Sequence, residues 1–583
     1  MANKLYYGDN LDVLDHHIDS KSVDLIYLDP PFKSDEDYNV LFETQDGSRA
    51  PAQIQAFEDT WRWDQKSAEA FHTTVQNGPT RVAETLEALE KTVGRNDMLA
   101  YLSMMAPRLV ELHRVLKDTG SIFLHCDDAA SHYLKVLLNA TFGPENFHNE
   151  IIWRNYSQKN VTTRFGSIHQ SIFFYSKTDD YYFEQIYRPY TRRHVRKRYR
   201  EDDQGRYREV IGGNILTGAG ATDGESGEEW RGVDPTDKDR HWAVPQALKK
   251  KLDEDIDDLP VTEQLEKLYQ AGHIEITESA YWPKRVMYLE DKRGNPVQDI
   301  WAYQPGTEGT LHGTEKGIDE DVEWISPTSD ERLDYPTQKP IGLLDRIIRA
   351  ACPEDGVVMD PFCGCGTAVA SAEKLDRDWI GIDITHIAIS LIRHRLEDGF
   401  ENPQFEVIGE PETLEAAKKL ANQDRYQFEY WALGLVGARP RSQDEKKGSD
   451  KGIDGKLRFR DEPGGDLKEV MISVKSGKNA DVSDVRDLAG VRSREDAEIG
   501  VFVTLKQPTS DMEKEAASHG FYSSKFTGEN HPRIQILTVE DLLDGEEIDM
   551  PPVGQVNETF QEGPTVKRDQ HEQMTMQLEK GTS

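Results

Sequence analysis

Val358-Met359-Asp360-Pro361-Phe362-Cys363-Gly364-Cys365-Gly366-Thr367 reads as a short apolar strand running into a glycine turn, followed by a helical run from Ala368 to Leu375. Glycines at such a turn let backbone N–H groups approach a ligand at a helix N-terminus. The dinucleotide fingerprint would need a third glycine where Val369 stands. Taken alone, the stretch also reads as a tight turn with no ligand. A second acidic strand end, Trp379-Ile380-Gly381-Ile382-Asp383, weighs against that reading. Asp383 falls 17 residues after Gly366, about where α/β nucleotide sites place the carboxylate that takes ribose hydroxyls. A site of this kind past residue 350 means that other parts of the fold come first.

At 583 residues the chain is too long for one core, so several domains are expected. Lys+Arg 70 against Asp+Glu 106 leaves a net charge of −36, which argues against a surface that is basic all over. A local basic groove is still compatible, because steering follows charge distribution. The four cysteines are Cys126, Cys352, Cys363 and Cys365, and the close pair has no second pair at zinc-ligand spacing. Free thiols in a reducing compartment are expected. No signal peptide and no apolar run approaching ~18 residues is found, so the expectation is a soluble, cytoplasmic protein with no membrane partner.

Near the start, Leu5-Tyr6-Tyr7-Gly8-Asp9 reads as a strand ending in an acid, with a helix from about Asn10 to His17. Val23 to Leu28 is an apolar run typical of a buried strand, and it ends in Asp29-Pro30-Pro31-Phe32. Two prolines stop the strand and hold the backbone extended. They place an acid and an aromatic at the strand's carboxyl end, where open α/β sheets take their ligands. One chemistry suits this set. The exocyclic amine of a nucleobase is a poor nucleophile because its lone pair is delocalised into the ring. The Asp29 carboxylate and the Pro30 carbonyl offer two acceptors for its hydrogens, favouring a tetrahedral nitrogen with its lone pair free. The Phe32 ring offers a stacking face for a base that has left the duplex. A Pro-Pro turn capped by an aspartate is the competing reading.

The two motifs together resemble the β-class of S-adenosylmethionine-dependent DNA amino-methyltransferases, in which the catalytic half precedes the cofactor half. Asp29-Pro30-Pro31-Phe32 matches the D-P-P-[YFW] pattern. Further stretches match in order: a long helix from about Asp97 to Lys117, kinked or split at Pro107; strands at Ser121–His125, Ile151–Trp153 and Ser171–Tyr175; and Tyr335-Pro336-Thr337-Gln338-Lys339-Pro340 ahead of a helix from Ile341 to Ala351. The resemblance implies an α/β fold, a Rossmann-like sheet in permuted order. It implies that Phe362, Gly364 and Gly366 cradle the methionine end of the cofactor, with Asp360 facing its amine and Thr337 and Lys339 its carboxylate. Asp383 takes the ribose and Asp9 lies beside the adenine, although Asp9 reads equally as a helix cap. Asp29, Pro30, Pro31 and Phe32 become the catalytic set, with no metal needed. The initial Asp favours adenine N6 over cytosine N4 as the methylated atom.

Residues 1–180 are expected to form the catalytic half, 181–330 a target-recognition insert, 331–410 the cofactor half, 411–548 a C-terminal domain, and 549–583 a disordered tail. The insert opens with Arg188 to Arg200, which holds seven Arg or Lys and no acid. Arg192, Arg193, Arg196, Lys197 and Arg198 are its candidate phosphate contacts to double-stranded DNA; a solvated helix face is the alternative. Trp230, Trp242, Trp282, Trp301 and Trp324 read as the core of that insert. In the C-terminal domain, Asp454, Ser473 and Lys475 resemble the D…[EQ]-x-K site of Mrr-like nucleases, which binds Mg²⁺. Ser473 departs from the pattern and is a poor ligand for a hard cation, while Glu429 stands ready to complete a site. The resemblance places the protein in restriction-modification, acting as a homodimer or with a restriction subunit; an enzyme that also cleaves DNA is the alternative.

Overall fold

A computed structural model describes residues 3–31, 63–156, 161–212, 215–252, 254–277, 280–326, 328–329, 331–333, 335, 337–440, 453–461, 465–476 and 480–551. The expectation for the tail therefore falls almost entirely outside the described residues, as does Phe32. At the tail's near edge, Asp549 lies 2.7 Å from His531 Nδ1 and Met550 packs on the C-terminal core.

The first unit is built on a nine-stranded sheet. Its strands are β1 (Asn3–Tyr7), β2 (Val23–Leu28), β3 (Leu116–Cys126), β4 (Phe147–Arg154), β5 (His169–Ser176), β6 (Ile300–Trp301), β7 (Val357–Asp360), β8 (Asp378–Asp383) and β9 (Phe405–Ile408). The spatial order is β6-β4-β5-β3-β2-β7-β8-β1-β9. Every neighbouring pair is parallel except the two made by β5. All six residues of β2 and all four of β7 are buried, as expected of central strands covered on both faces. The chain leaves β2 towards β3 on one side, whereas β7 leads to β8 on the other. Their adjoining carboxyl ends thus form the switch point at which open α/β sheets bind ligands. This is a Rossmann-like sheet in permuted order: the strand carrying Asp29 precedes the glycine-turn strand by more than three hundred residues yet pairs with it, Leu25 opposite Val358.

Helices α1 (Asn10–His17), α2 (Asp97–Val115), α3 (Ile341–Ala351), α4 (Thr367–Lys374), α5 (His386–Gly399) and α6 (Arg425–Leu435) accompany the strands. Asn96 caps α2 by accepting from Leu99 N–H at 3.0 Å. Leu99, Leu102, Met105, Leu109 and Leu112 of α2 are fully buried, each such side chain contributing about 1.5–3 kcal/mol of transfer free energy. The helix is not split at Pro107: it runs unbroken through it. Proline removes one backbone donor, and the buried leucines on both sides of it anchor the two turns.

The C-terminal part of this unit carries a five-stranded sheet made of β10 (Arg439–Pro440), β11 (Gly455–Arg460), β12 (Leu467–Lys475), β13 (Ile499–Thr504) and β14 (Ile534–Thr538), in that order. Its core includes Phe428, Trp431, Phe459, Val470, Ile472 and Val501. Among the described residues no helix is long and apolar enough to cross a membrane.

The second unit comprises Gln185–Val297 and Gln304–Glu320. An antiparallel sheet orders Ile274–Thr277, Ala280–Tyr288, Tyr207–Ile211 and Arg200–Glu201. Trp230 and Trp242 are buried with Leu265, Leu268 and Ile274, and Trp282 packs against them. Trp301 and Trp324 do not join this core; they belong to the first unit. Trp301 sits on β6, which hydrogen-bonds to β4, and Arg154 lies over the Trp324 ring.

Candidate active site

Asp29 follows β2 directly, and Pro30 behind it is buried. The Asp29 carboxylate is paired with the ammonium of Lys339, which also donates to the Thr337 carbonyl at 3.1 Å. Lys339 is buried, and its own carbonyl accepts from Thr367 Oγ1 at 3.3 Å, which ties the segment before α3 to the start of α4. Thr337 is exposed and adopts φ +66°. Thus Lys339, expected opposite a cofactor carboxylate, reaches Asp29.

The glycine turn closes through Gly366 N–H donating to the Cys363 carbonyl at 2.7 Å. Gly366 adopts φ +72°, and a Cβ there would meet Ile392 Cγ1 of α5 at 2.7 Å. Both the backbone conformation and the packing require glycine. Gly364, at φ +50°, donates its N–H to Asp383 Oδ2 at 2.9 Å. The other oxygen of Asp383 accepts from Thr385 N–H and Oγ1 at 2.9 and 2.8 Å. Carboxylate oxygens carry two acceptor sites each, so Oδ2 keeps capacity for one more donor. Burial raises the Asp383 pKa, and those hydrogen bonds oppose the rise.

Asp360 ends β7 in full burial and accepts from Phe362 N–H at 3.0 Å. Burial pushes its pKa up to about 8; the negative charges of Asp29 and Asp383 add to that, and the Phe362 hydrogen bond opposes it. Such a carboxyl suits a bound cation. The Cys363 and Cys365 thiols are free and buried, and burial raises both pKa values.

Asp9 caps α1 by accepting from Leu11 N–H at 2.8 Å and takes Arg108 Nη2 on both oxygens, at 2.8 and 3.0 Å. Asn10 accepts from Arg108 Nε at 2.6 Å and donates to the Pro361 carbonyl at 2.8 Å. This network, which fastens the end of β1 to the glycine turn, was not foreseen from the sequence. Its one sequence signal is an arginine among the leucines of α2's buried face.

In the second unit the basic run forms a helix, Arg192–Arg198, capped by Thr191. Val195 and Tyr199 are buried against Leu289, while Arg193, Arg196 and Lys197 are exposed at the i, i+3, i+4 spacing of one helix face. Arg200, also exposed, lies beyond the helix on the strand Arg200–Glu201 and donates to the Arg196 and Tyr199 carbonyls at 3.1 and 2.9 Å. Arg192 is held by Glu315 at 2.8 Å, and Arg198 lies 3.7 Å from Glu209.

In the C-terminal sheet, Asp454 immediately precedes β11, and Ser473 and Lys475 share one face of β12. Asp454 Oδ2 accepts from Val474 N–H at 2.6 Å and from Ser473 Oγ at 3.4 Å. Glu429 on α6 pairs with Arg425 at 2.8 Å. Burial and the Asp454 charge push the Glu429 pKa up to about 7, opposed by Arg425 and Lys475. The acid, the serine, the lysine and the helix glutamate therefore converge. Among the described residues no group of three His, Cys, Asp or Glu side chains is arranged to hold a metal ion.

A switch-point cleft carrying D-P-P on one strand end and an acid-flanked glycine turn on the next defines a nucleotide-type group-transfer fold. The DNA methylase family matches this chain over residues 23–393, more than half its length, and the chain belongs to that family. A restriction endonuclease family matches residues 420–542. The type II methyltransferase M.EcaI of Enterobacter cloacae is 28% identical over 302 residues, 52% of this chain and 58% of that protein. The Mod subunit of the type III restriction-modification enzyme StyLTI of Salmonella typhimurium strain LT2 is 28% identical over 386 residues, 64% of this chain and 50% of that one. The chain thus spans between half and three-fifths of the length of these relatives. Among solved structures, the cytosine-N4-specific PvuII DNA methyltransferase is similar at 12% identity, over 69% of this chain and 88% of that one, with a TM-score of 0.32.

Proposed function

We propose that the protein methylates the exocyclic amine of a flipped base in double-stranded DNA, adenine N6 in preference to cytosine N4, within a restriction-modification system. The observation that carries this reading is the adjacency of Asp29 on β2 to the glycine turn on β7. S-adenosylmethionine supplies the electrophilic methyl group when bound. The buried Asp360 suits its ammonium, the spare acceptor capacity of Asp383 suits the ribose, and Lys339 and Thr337 suit the carboxylate. Asp9, spent on Arg108 and its cap, would hold the end of β1 beside the adenine. Asp29 and the Pro30 carbonyl would accept the two amine hydrogens and leave the nitrogen lone pair free for in-line attack; as the N–C bond forms, the S–C bond breaks, its electron pair stays on the departing thioether, and one amine proton passes by way of Asp29 to water, with no metal required. Phe32 supplies the stacking face. Lys339, which pairs with Asp29, would lie between that acid and the cofactor carboxylate. Sequencing that detects modified bases in an expression host reports base, atom and site at once; an unmodified genome beside active-site variants of identical outcome would refute the reading.

The exposed helix face of Arg193, Arg196 and Lys197 is proposed to bind phosphates, with Arg192, Arg198 and Arg200 at its margins. Replacing Arg193, Arg196 and Lys197 together by glutamine is expected to weaken DNA binding alike on all sequences. It should flatten the slope of log K against log salt by about 2–3. Fluorescence titrations across a salt series check this, and an unchanged slope would reject the assignment.

A second reading adds DNA cleavage by the C-terminal domain; it is favoured by the convergence of Asp454, Lys475 and Glu429. Glu429 takes the part that Ser473 cannot play towards Mg²⁺. With the Glu429 carboxyl titrating near 7, metal binding and cutting should rise as the pH passes from 6 to 8. On unmethylated plasmid with Mg²⁺, Lys475→Ala is expected to abolish nicking. Intact plasmid with the unaltered protein under all conditions leaves modification as the sole activity, with cleavage left to a separate restriction subunit or a partner copy.

A further inference from the structure

Beside the Asp29 site, Tyr27, His125 and Gln170 form a hydrogen-bonded chain that the proposed methyl transfer does not use. Tyr27, two residues before Asp29, places its hydroxyl 2.8 Å from His125 Nδ1, and His125 Nε2 lies 2.9 Å from Gln170 Oε1. His125 is on β3 and Gln170 on β5, next to the Cys126–Ser171 register pair. Gln170 therefore sits at the same sheet rim as Asp29. The His125 ring meets Trp153 edge-on at 5.4 Å, and Trp153 is itself fixed by its indole N–H donating to the Val322 carbonyl at 2.8 Å.

The proton positions follow from what each buried group can satisfy. Burial, then the charge of Lys339, drives the His125 pKa down to about 3, so the ring is neutral, with one donor and one acceptor. Burial raises the Tyr27 pKa well above its ordinary value, so the phenol keeps its proton. Tyr27 is 2% exposed, and His125 Nδ1 is its hydrogen-bond partner. A buried O–H left unpaired is costly, so Tyr27 donates to Nδ1. Nε2 then carries the ring proton and donates to Gln170, which must present its oxygen. The Gln170 amide is fixed in one orientation, and its NH₂ group has no protein partner among the described residues.

We propose that Gln170 is a specificity-determining residue for the methylated base, donating from its NH₂ group to the ring nitrogen that flanks the reactive amine. This rests on the methyltransferase reading above. Asp29 and Pro30 accept and Gln170 donates. That pattern matches an amine beside an unprotonated ring nitrogen, N1 or N7 of adenine or N3 of cytosine. It excludes thymine, which has no amine.

The test uses the full-length protein and duplexes carrying the mapped site with adenine, 1-deazaadenine or 7-deazaadenine at the target. If the mapped base is cytosine, 3-deazacytosine takes their place. With the unaltered protein, kcat/KM is expected to fall about 10- to 100-fold for the analogue lacking the contacted nitrogen. Gln170→Leu should lose a similar factor on the natural base and lose nothing further on that analogue. Gln170→Glu, which can offer only acceptors to the base, should be no better than Gln170→Leu. Calorimetric binding of S-adenosylmethionine within about threefold of the unaltered protein identifies both variants as folded. Additive losses for every analogue, or an undiminished kcat/KM for Gln170→Leu, would overturn the proposal. A complete absence of methyl transfer by the unaltered protein would instead remove the reading beneath it.

Discussion

Asp29→Ala is expected to lower methyl transfer at least about 10³-fold while S-adenosylmethionine still binds within about threefold. The direction follows from the electronics of the amine. An aniline-like nitrogen gains nucleophilicity only as its hydrogens are drawn out of the ring plane, and Asp29 is the side chain proposed to accept one of them. Alanine leaves the Pro30 carbonyl alone. Lys339, 9% exposed in its pair with the 25% exposed Asp29, then loses its partner. Removing one member of a well-buried pair costs about 3–5 kcal/mol, and the exposure of Asp29 puts the cost here lower. Thermal melting therefore accompanies the assay, and Asp29→Asn serves as a second variant that keeps the volume. Asn presents one acceptor and an NH₂ donor that opposes the base amine, so it should be nearly as inactive. Labelled methyl reaching DNA at the unaltered rate in either variant would end the assignment of Asp29.

The elements that set this site were legible in the sequence wherever one strand carries its own signal. Val23 to Leu28 is apolar but for Asp24, which accepts from Lys117 and from Val357 N–H, because both faces of β2 are covered, and Asp-Pro-Pro stops it. The late glycine turn is understandable only if the sheet is permuted, and the β2–β7 register shows that arrangement. What stayed hidden depends on which strands become neighbours. Nothing local to His125 or Gln170 announces that antiparallel β3 and β5 bring them together above Tyr27. Likewise, a two-residue strand at Trp301 has no periodicity to read, so its place in the main sheet could not be separated from the insert. The Lys339–Asp29 pair joins residues 310 positions apart, and its chemistry emerges only after the segment before α3 folds over β2. Arg108 was hidden for a different reason: a lone arginine in an apolar helix reads as a rim residue until Asp9 and Asn10 are seen to satisfy it.

Asp360→Asn is expected to stabilise the ligand-free protein above neutral pH and, at the same time, to weaken cofactor binding. In the unfolded chain this carboxyl titrates at its ordinary value of 3.8, whereas in the fold it titrates at about 8. Between those values the unfolded state has released a proton that the folded state retains. Stability contributed by this group therefore falls as pH rises from about 4 to 8 and is flat outside that window. Asparagine has no such proton, and its side-chain oxygen can still accept from Phe362 N–H. The variant should match the parent near pH 4 and melt several degrees higher at pH 8, with the gap opening steadily between. The ammonium of S-adenosylmethionine reverses the preference, because a cation beside the carboxyl favours its ionised form. Binding at pH 6–7 should then release close to one proton from the parent, visible as a dependence of calorimetric enthalpy on buffer ionisation, and none from Asp360→Asn. Loss of a charge-assisted contact predicts about 10- to 100-fold weaker binding. A stability difference independent of pH would show that Asp360 does not hold its proton in the fold. Unchanged affinity together with unchanged proton release would place the cofactor's ammonium elsewhere than on β7.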